Sequence, residues 1–252
     1  MSSAEPGGHG RPEAGRPGHE RGQDARTGTS PELRVLEDPA ADLAELLCDV
    51  AAAGGHVVLT GGSSPRRAYE LASGRGADWS GATAWFGDER CVPPDHPDSN
   101  YGMTRAALLE RLGDHGPTVR RMEGERGPEA GAAAYEDALR AELGDAPAFD
   151  LLLLGLGPDG HCASLFPAKP EQDVEDRLVV GVPVAGLKPY VPRITLTLPA
   201  LNAARHVVFL VTGEAKREAV RIAFVERDHA SPAARVDPAG RLTVLLDAAA
   251  AP

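Results

Sequence analysis

A short polar loop that follows a run of leucines carries an aspartate and a histidine two positions apart. The stretch is LLLLGLGPDGHCASLFP, residues 151–167, and the pair is Asp159 and His161. Histidine titrates near neutral pH, so it can serve as a general base or acid, and a carboxylate beside it can fix its orientation. An ordinary surface-loop histidine is the alternative. The pattern makes His161 the first candidate for acid–base chemistry, with Asp159 as its partner.

A glycine-rich turn at residues 60–65, TGGSSP, joins a predicted strand to a predicted helix. Glycines let backbone N–H groups approach a ligand closely, and the first turn of a helix carries about half a positive charge. This suits a phosphate, although the turn lacks the lysine of a nucleotide-binding P-loop. The alternative is a tight turn that Ser64 caps, with Pro65 in the first helical position. The candidate phosphate contacts are Gly61, Gly62 and Ser63.

Charged residues also close another predicted strand, which contains two aromatic residues and ends in Asp88, Glu89 and Arg90. They form either an ordinary ion pair at the rim of the sheet, or a site in which one carboxylate orients a base or hydroxyl while Arg90 steers an anion. Two more cations are candidates. Arg193 opens a predicted strand, and Lys216 lies near the N-terminus of a predicted helix, where a cation is unfavourable unless an anion offsets it.

Other motifs in the chain are weak. Residues 155–160 match G-x-G-x-x-G, but a Pro-Asp pair interrupts the turn and a Phe-Pro pair cuts short any following helix, so dinucleotide binding is not favoured. Cys162 and Ser164 lack the surroundings of an activated nucleophile. The histidines do not follow HxxxH or HExxH spacing, and the cysteines form no CxxC pair. We therefore expect neither a cofactor nor a metal ion.

Composition narrows the class of protein. The 252 residues are 42% hydrophobic and carry a formal net charge of −11, which argues against nucleic acid or an anionic membrane as partner. The sequence has no apolar run long enough to span a membrane. Residues 1–32 are rich in Gly, Pro and charge, and we expect a disordered leader rather than a secretory signal. An odd number of scattered cysteines fits a reducing cytoplasm: Cys48, Cys91 and Cys162.

The remaining pattern alternates strands with helices. Apolar periodicity predicts helices over 42–53, 65–73, 100–112, 127–143 and 214–226. It predicts strands over 56–60, 83–88, 149–156, 178–184, 193–197, 206–213 and 241–247. This is an α/β fold with a mainly parallel sheet flanked by helices, in one domain over 33–252. Ligands bind such sheets beyond the carboxyl ends of the strands, where the three polar loops meet.

Four segments together resemble the 6-phosphogluconolactonase family, and they occur in that family's order. The resemblance covers roughly residues 33–250 and is carried by LTGGSSP, WFGDERCVPPDHPDSNYGM, LLLLGLGPDGHCASLFP and PRITLTLPALNAARHVVFLVTGEAKREAV. It implies a Rossmann-like α/β fold shared with sugar-phosphate isomerases. It also implies metal-free hydrolysis of a phosphosugar lactone, 6-phosphoglucono-δ-lactone, to 6-phosphogluconate in the oxidative pentose phosphate pathway. Oligomeric state is not implied.

The resemblance also suggests roles for the candidate residues. His161 would take a proton from the water that attacks the lactone carbonyl, with Asp159 or Asp88 aiding its orientation. Backbone N–H groups of the glycine-rich loops, or Arg90, would stabilise the oxyanion. The substrate phosphate would be held by Gly61, Gly62, Ser63, Arg193 and Lys216. Three places depart from the family pattern: Cys162 stands in place of a threonine, Val244 stands where many members carry tryptophan, and the KPYVPR stretch around Lys188 differs slightly.

Two other functions remain as alternatives. Glucosamine-6-phosphate deaminase, a relative on the same fold, is similar to this chain at Asp88, Asp159, Gly160 and His161. Its glutamate that assists ring opening aligns with Phe166, which cannot exchange a proton, so the lactonase is favoured. A non-catalytic sugar-phosphate sensor is the second alternative. The intact Asp-Gly-His sequence and the lack of a helix-turn-helix or basic DNA-binding segment argue against it.

Overall fold

The computed structural model describes residues 30–252. The leader predicted over 1–32 therefore lies outside the described residues, except for its last three positions. Of these, Glu32 already belongs to the first strand.

A seven-stranded sheet forms the centre of the molecule, and every neighbouring pair of its strands is parallel. The strands are β1 (Glu32–Val35), β2 (His56–Leu59), β3 (Thr83–Phe86), β5 (Thr118–Val119), β6 (Leu151–Leu154), β9 (His206–Val211) and β10 (Arg241–Leu246). Their spatial order is β1-β10-β9-β6-β2-β3-β5. The predicted fold class, a mainly parallel sheet flanked by helices, is confirmed.

Helices connect these strands. They are α1 (Pro39–Ala52), α2 (Ser63–Ser73), α3 (Asn100–Thr104), α4 (Glu110–Leu112), α5 (Pro128–Leu143), α6 (Leu198–Asn202) and α7 (Arg217–Val220). The helix predicted over 100–112 consists of α3, a π-helical turn and α4 in direct succession. The helix predicted over 214–226 begins as a 3-10 turn at Glu214–Lys216, continues as α7 and ends in a π-helical turn at Arg221–Glu226.

A second, antiparallel sheet corrects the prediction of one sheet. Its three strands, in spatial order, are β4 (Asp88–Arg90), β8 (Arg193–Leu196) and β7 (Val179–Val182). The predicted strands at 178–184 and 193–197 thus lie here. Asp88, predicted as the end of the strand 83–88, and the two residues after it pair with β8 in this sheet instead, with Asp88 opposite Thr195. Gly87 explains the change of sheet, because its N–H donates to Leu59 in β2 and its carbonyl accepts from Leu196 in β8.

The sequence prediction also missed two strands, β1 and β5, which are the outer strands of the parallel sheet. Most residues of β1 are exposed, and β5 has only two residues. Neither presents the buried face that produces a regular apolar pattern, so pairing with a neighbour rather than patterning makes them strands.

The core lies on the central strands of this sheet. All four leucines of β6 are buried, with β9 and β2 on either side. Each fully buried leucine contributes roughly 1.5–3 kcal/mol. Trp85 packs edge-on against Tyr135 and Phe149, at ring-centroid distances of 5.9 and 6.3 Å. This rigid centre fixes where each strand ends, and so where the polar loops begin. None of the helices within residues 30–252 is both long and apolar enough to cross a membrane.

Candidate active site

The three polar loops meet at one cavity of about 270 Å³, at the carboxyl ends of β2 and β6 and beside β4. Of the nine site residues predicted from the sequence, eight line it: Gly61, Gly62, Ser63, Asp88, Arg90, His161, Arg193 and Lys216. Asp159 is not among the lining residues, but its carboxylate contacts the ring of His161, which is. The fold therefore brings together residues that are up to 155 positions apart in the chain (61 to 216).

The centre of the site is the pair formed by His161 and Asp159. His161 Nδ1 lies 2.5 Å from Asp159 Oδ1, and the backbone N–H of His161 donates to the same oxygen at 3.3 Å. Burial alone raises the pKa of Asp159, but the hydrogen bond and charge of His161 outweigh it, and the net pKa is lowered. Gly157 makes the contact possible, because a Cβ there would lie 1.9 Å from His161 Nδ1.

The His161 ring packs against Phe166, with ring centroids 4.8 Å apart and the rings tilted by 44°. Phe166 is buried and also lines the cavity. The contact shields part of the imidazole from water and leaves the rest of the ring facing the cavity, where a substrate or a water molecule can reach it.

Asp88 has other partners. Its Oδ2 accepts from Ser164 Oγ at 2.6 Å, and its Oδ1 accepts from Asn100 Nδ2 at 3.0 Å. Among the described residues, the orienting contact to His161 comes from Asp159 and not from Asp88. Asn100 is a cavity residue that the sequence reasoning missed. The Asp-Ser-Asn sequence before a predicted helix was its only signal, and that signal also fits a simple cap.

Glu89 is a buried carboxylate that holds together the wall of the cavity next to Asp88. It is 2% exposed and accepts four hydrogen bonds of 2.7–3.0 Å, from the backbone N–H groups of Arg90, Asn100 and Tyr101 and from Ser99 Oγ. Burial raises the pKa of Glu89, although the three backbone bonds oppose it. Of the two alternatives for Asp88, Glu89 and Arg90, the rim ion pair is not seen within residues 30–252, where Arg90 Nη1 donates to the carbonyl of Asp98.

The glycine-rich turn leads into α2 without the predicted serine cap. Gly62 is the N-cap residue, and no side chain within residues 30–252 caps this 11-residue helix. Ser64 instead shares a 2.7 Å hydrogen bond with Thr212, which follows β9. The first N–H groups of a helix have no intrahelical acceptor, and those of α2 adjoin the cavity. This arrangement suits an anion.

Four cations of the described chain line the cavity, namely Arg90, Lys188, Arg193 and Lys216. Lys216 Nζ donates to the carbonyl of Leu156 at 2.7 Å, and burial lowers its pKa while Asp159 opposes the shift. Arg193 is 4% exposed and burial lowers its pKa. Its Nε and Nη2 donate to carbonyls of residues 187–191. Arg193 thus holds a loop in place, and that loop brings Lys188 to the cavity.

The two weak nucleophile candidates are engaged in packing. Cys162 is fully buried, and burial raises the pKa of its thiol. Ser164 is also fully buried, and it donates to Asp88. In the described part of the chain, no group of three His, Cys, Asp or Glu side chains is arranged to hold a metal ion. The expectation of cofactor-free chemistry stays a prediction.

Comparisons with known proteins all give one family. The profile described as Glucosamine-6-phosphate isomerases/6-phosphogluconolactonase matches residues 34–245. The chain is 42% identical over 200 residues to 6-phosphogluconolactonase of Synechocystis sp., covering 77% of this chain and 82% of that protein. It is 45% identical over 173 residues to human 6-phosphogluconolactonase, covering 67% of each.

Solved structures agree. The crystal structure of 6-phosphogluconolactonase from Thermotoga maritima matches with a TM-score of 0.76 at 30% identity, covering 86% of this chain and all of that one. The profile match contains the four segments that carried the sequence resemblance. The chain therefore belongs to the glucosamine-6-phosphate isomerase/6-phosphogluconolactonase family, among its 6-phosphogluconolactonases.

Proposed function

We propose that this chain hydrolyses 6-phosphoglucono-δ-lactone to 6-phosphogluconate, the lactone-opening step of the oxidative pentose phosphate pathway, and that His161 is the general base. One observation carries the mechanism: the 2.5 Å contact between His161 Nδ1 and Asp159 inside a cavity that also presents cations and a helix N-terminus. Lactone hydrolysis itself rests on family membership, and the three free cysteines fit the cytoplasmic location that we propose with it.

The hydrogen bond to Asp159 sets the tautomer. Nδ1–H donates to the carboxylate, so Nε2 carries a lone pair that accepts a proton from water. The resulting hydroxide equivalent attacks the lactone carbonyl and forms a tetrahedral oxyanion. Collapse breaks the bond to the ring oxygen, which takes the proton back from Nε2. Collapse leaves a hydroxyl group and a carboxylic acid, which releases its remaining proton to solvent and becomes the carboxylate. No covalent enzyme intermediate forms.

We expect the substrate phosphate to bind where the start of α2 meets the cavity. The uncapped start of α2 offers N–H donors, and Lys216 and Lys188 supply charge. Arg193 is a weaker phosphate candidate than expected, because three of its hydrogen bonds go to backbone carbonyls. This distribution explains how a chain with a formal net charge of −11 accepts an anion: the cations are few and local.

The environment of His161 argues against the deaminase reaction. Deamination needs a proton-exchanging group to open the sugar ring, and in this chain the aligned residue is Phe166, whose ring packs on His161. A phenyl ring neither gives nor takes a proton. A non-catalytic sensor does not require the oriented imidazole, so the His161–Asp159 pair supports catalysis over binding alone.

The test compares the native protein with His161→Ala and with His115→Ala, a control that removes an exposed histidine outside the cavity. Hydrolysis of freshly prepared 6-phosphoglucono-δ-lactone is followed above its spontaneous rate. We expect His161→Ala to lose about 100-fold or more in kcat, and His115→Ala to keep the native value. Acceleration that survives in His161→Ala would remove the general base. No acceleration by the native protein favours the sensor, and ammonia release from glucosamine 6-phosphate favours the deaminase.

A further inference from the structure

The loop that carries the catalytic pair, residues 155–161 and called here the histidine loop, is closed by its own backbone. The N–H of Gly157 donates to the carbonyl of His161 at 2.8 Å, and the N–H of Gly160 donates to the carbonyl of Gly157 at 3.1 Å. Because these bonds are internal, they keep the shape of the loop but do not fix its place relative to the substrate-binding groups.

Bonds from one later segment of the chain hold the loop at both ends. Near its start, Lys216 Nζ donates to the carbonyl of Leu156. Near its end, the carbonyl of Gly160 accepts from Ser231 Oγ at 2.9 Å and from the backbone N–H of Ala233 at 3.1 Å. Both anchors lie between β9 and β10, so the position of His161 depends on a segment that follows it by more than fifty residues.

The contact between Gly160 and Ser231 is tight and specific. Gly160 has a φ of +83°, which few other residues adopt, and a Cβ on it would lie 2.4 Å from Ser231 Oγ. Ser231 is 3% exposed, and its own N–H donates to the carbonyl of Asp228. A 3-10 turn at Pro232–Arg235 follows it directly. The hydroxyl is therefore held rigidly, and it lies outside the lining of the cavity.

We propose that Ser231 is a positioning residue for the lactonase reaction, which holds His161 in place through the carbonyl of Gly160. This inference rests on the proposed function. A histidine that must face both water and a carbonyl carbon tolerates little displacement, since an error of about 1 Å costs on the order of 100-fold in rate. Loss of Ser231 Oγ leaves the Gly160 carbonyl with one donor, the N–H of Ala233, and frees the end of the loop to shift.

The phosphate-binding groups are expected to be unaffected by that shift. The start of α2 and Lys188 belong to other elements. Lys216 contacts the start of the loop at Leu156 and not the end that Ser231 holds. We therefore expect substrate binding through the phosphate not to depend on Ser231. The inference therefore predicts a separation that a general loss of stability does not produce: kcat falls while KM stays close to the native value.

The experiment compares Ser231→Ala with Thr197→Val. Thr197 is a matched control, because its buried hydroxyl also donates to a backbone carbonyl, that of Arg177, and it does not line the cavity. With 6-phosphoglucono-δ-lactone we expect kcat of Ser231→Ala to fall about ten-fold with KM within about two-fold of native. Thr197→Val should keep the native kcat even where its melting temperature falls equally. Ser231→Thr, which retains a hydroxyl, should recover most of the lost kcat.

A second readout does not depend on turnover. The proton shared between His161 Nδ1 and Asp159 is expected to give a downfield proton NMR signal, assigned by its loss in His161→Ala. The signal should shift or broaden in Ser231→Ala and stay native in Thr197→Val. Native kcat and a native signal in Ser231→Ala would overturn the inference. If the native protein hydrolyses no lactone, the proposed function fails, and the NMR comparison still decides whether Ser231 positions His161.

Discussion

The site contains two aspartates with opposite surroundings. Asp88 is 5% exposed and accepts hydrogen bonds at both carboxylate oxygens, from Asn100 and Ser164. The side chain of Asp159 is 37% exposed and directs one oxygen at His161. A carboxylate that accepts hydrogen bonds from fixed donors at both oxygens stabilises the wall of the cavity. A carboxylate that contacts a single imidazole instead sets the orientation and tautomer of that ring. The comparison separates the scaffold of the cavity from its reactive part.

The largest expected effect is that of Asp159→Asn. The asparagine amide can turn its NH2 group towards Nδ1 of His161, so that Nδ1 accepts a hydrogen bond instead of donating one. The ring proton then moves to Nε2, which can no longer take a proton from water. We expect kcat to fall by about 100-fold or more, with a smaller fall in the free energy of unfolding than Asp88→Asn causes. Steady-state kinetics and urea unfolding test both parts. A native kcat in this variant would show that the ring needs no carboxylate.

The same substitution at Asp88 should act mainly on stability. One of the two donors, Ser164 Oγ or Asn100 Nδ2, would then meet an NH2 group instead of an oxygen. Loss of a buried hydrogen bond to a charged group costs about 2–3 kcal/mol, which is the expected fall in the free energy of unfolding of Asp88→Asn. If the free energy of unfolding of Asp88→Asn is unchanged and its kcat falls as far as that of Asp159→Asn, then Asp88 acts in the reaction. The two aspartates would then not differ in role.

The smallest expected effect concerns the free energy of unfolding, whose dependence on pH should have opposite signs for Asp159 and for Glu89, the neighbour of Asp88. The pKa of Asp159 is lowered in the folded protein, so its stabilisation is present above the unfolded value of about 3.8 and is lost as the pH falls through the folded value. Burial raises the pKa of Glu89, beside Asp88, so its contribution is largest at low pH and is lost as the pH rises through its folded value.

Urea unfolding of the native protein, Asp159→Asn and Glu89→Gln at pH 7, 5 and 3.5 checks these signs. The stability advantage of the native protein over Asp159→Asn should shrink between pH 5 and 3.5. Its advantage over Glu89→Gln should grow between pH 7 and 5. If the stability advantages over Asp159→Asn and over Glu89→Gln both grow or both shrink as the pH falls, the pKa shifts of the two carboxylates do not have opposite signs.

The parallel sheet and the convergence of its loops could be predicted from the sequence because both depend on local patterns. Four buried leucines in β6 and alternating helices dictate a covered sheet, and the carboxyl ends of parallel strands share one edge. The features that were not predicted depend on contacts that leave no regular pattern in the sequence. The pairing of Asp88 with Thr195 and the four bonds to Glu89 leave no local periodicity, so the second sheet and Asn100 were not predicted.

The partners of individual hydrogen-bond donors were harder to predict, and the phosphate role of Arg193 stays a prediction. From the sequence, Ser64 was the cap of α2 and Arg193 a phosphate ligand. In the structure, the Ser64 hydroxyl contacts Thr212, and the Arg193 guanidinium donates to the carbonyls of its own loop. Residue type predicts that a group will donate, but the acceptor depends on which backbone carbonyls the fold leaves nearby.

The transfer of the chain between two sheets at Gly87 also has a consequence for the order of folding. The bonds of β4 to β8 join residues about a hundred positions apart, whereas helices such as α1 and α2 form from near neighbours. Contacts between distant parts of a chain close slowly, because the entropy of a long loop is lost before the contact is gained. We therefore expect the wall that carries Asp88 and Arg90 to be completed late in folding, after most of the helices have formed.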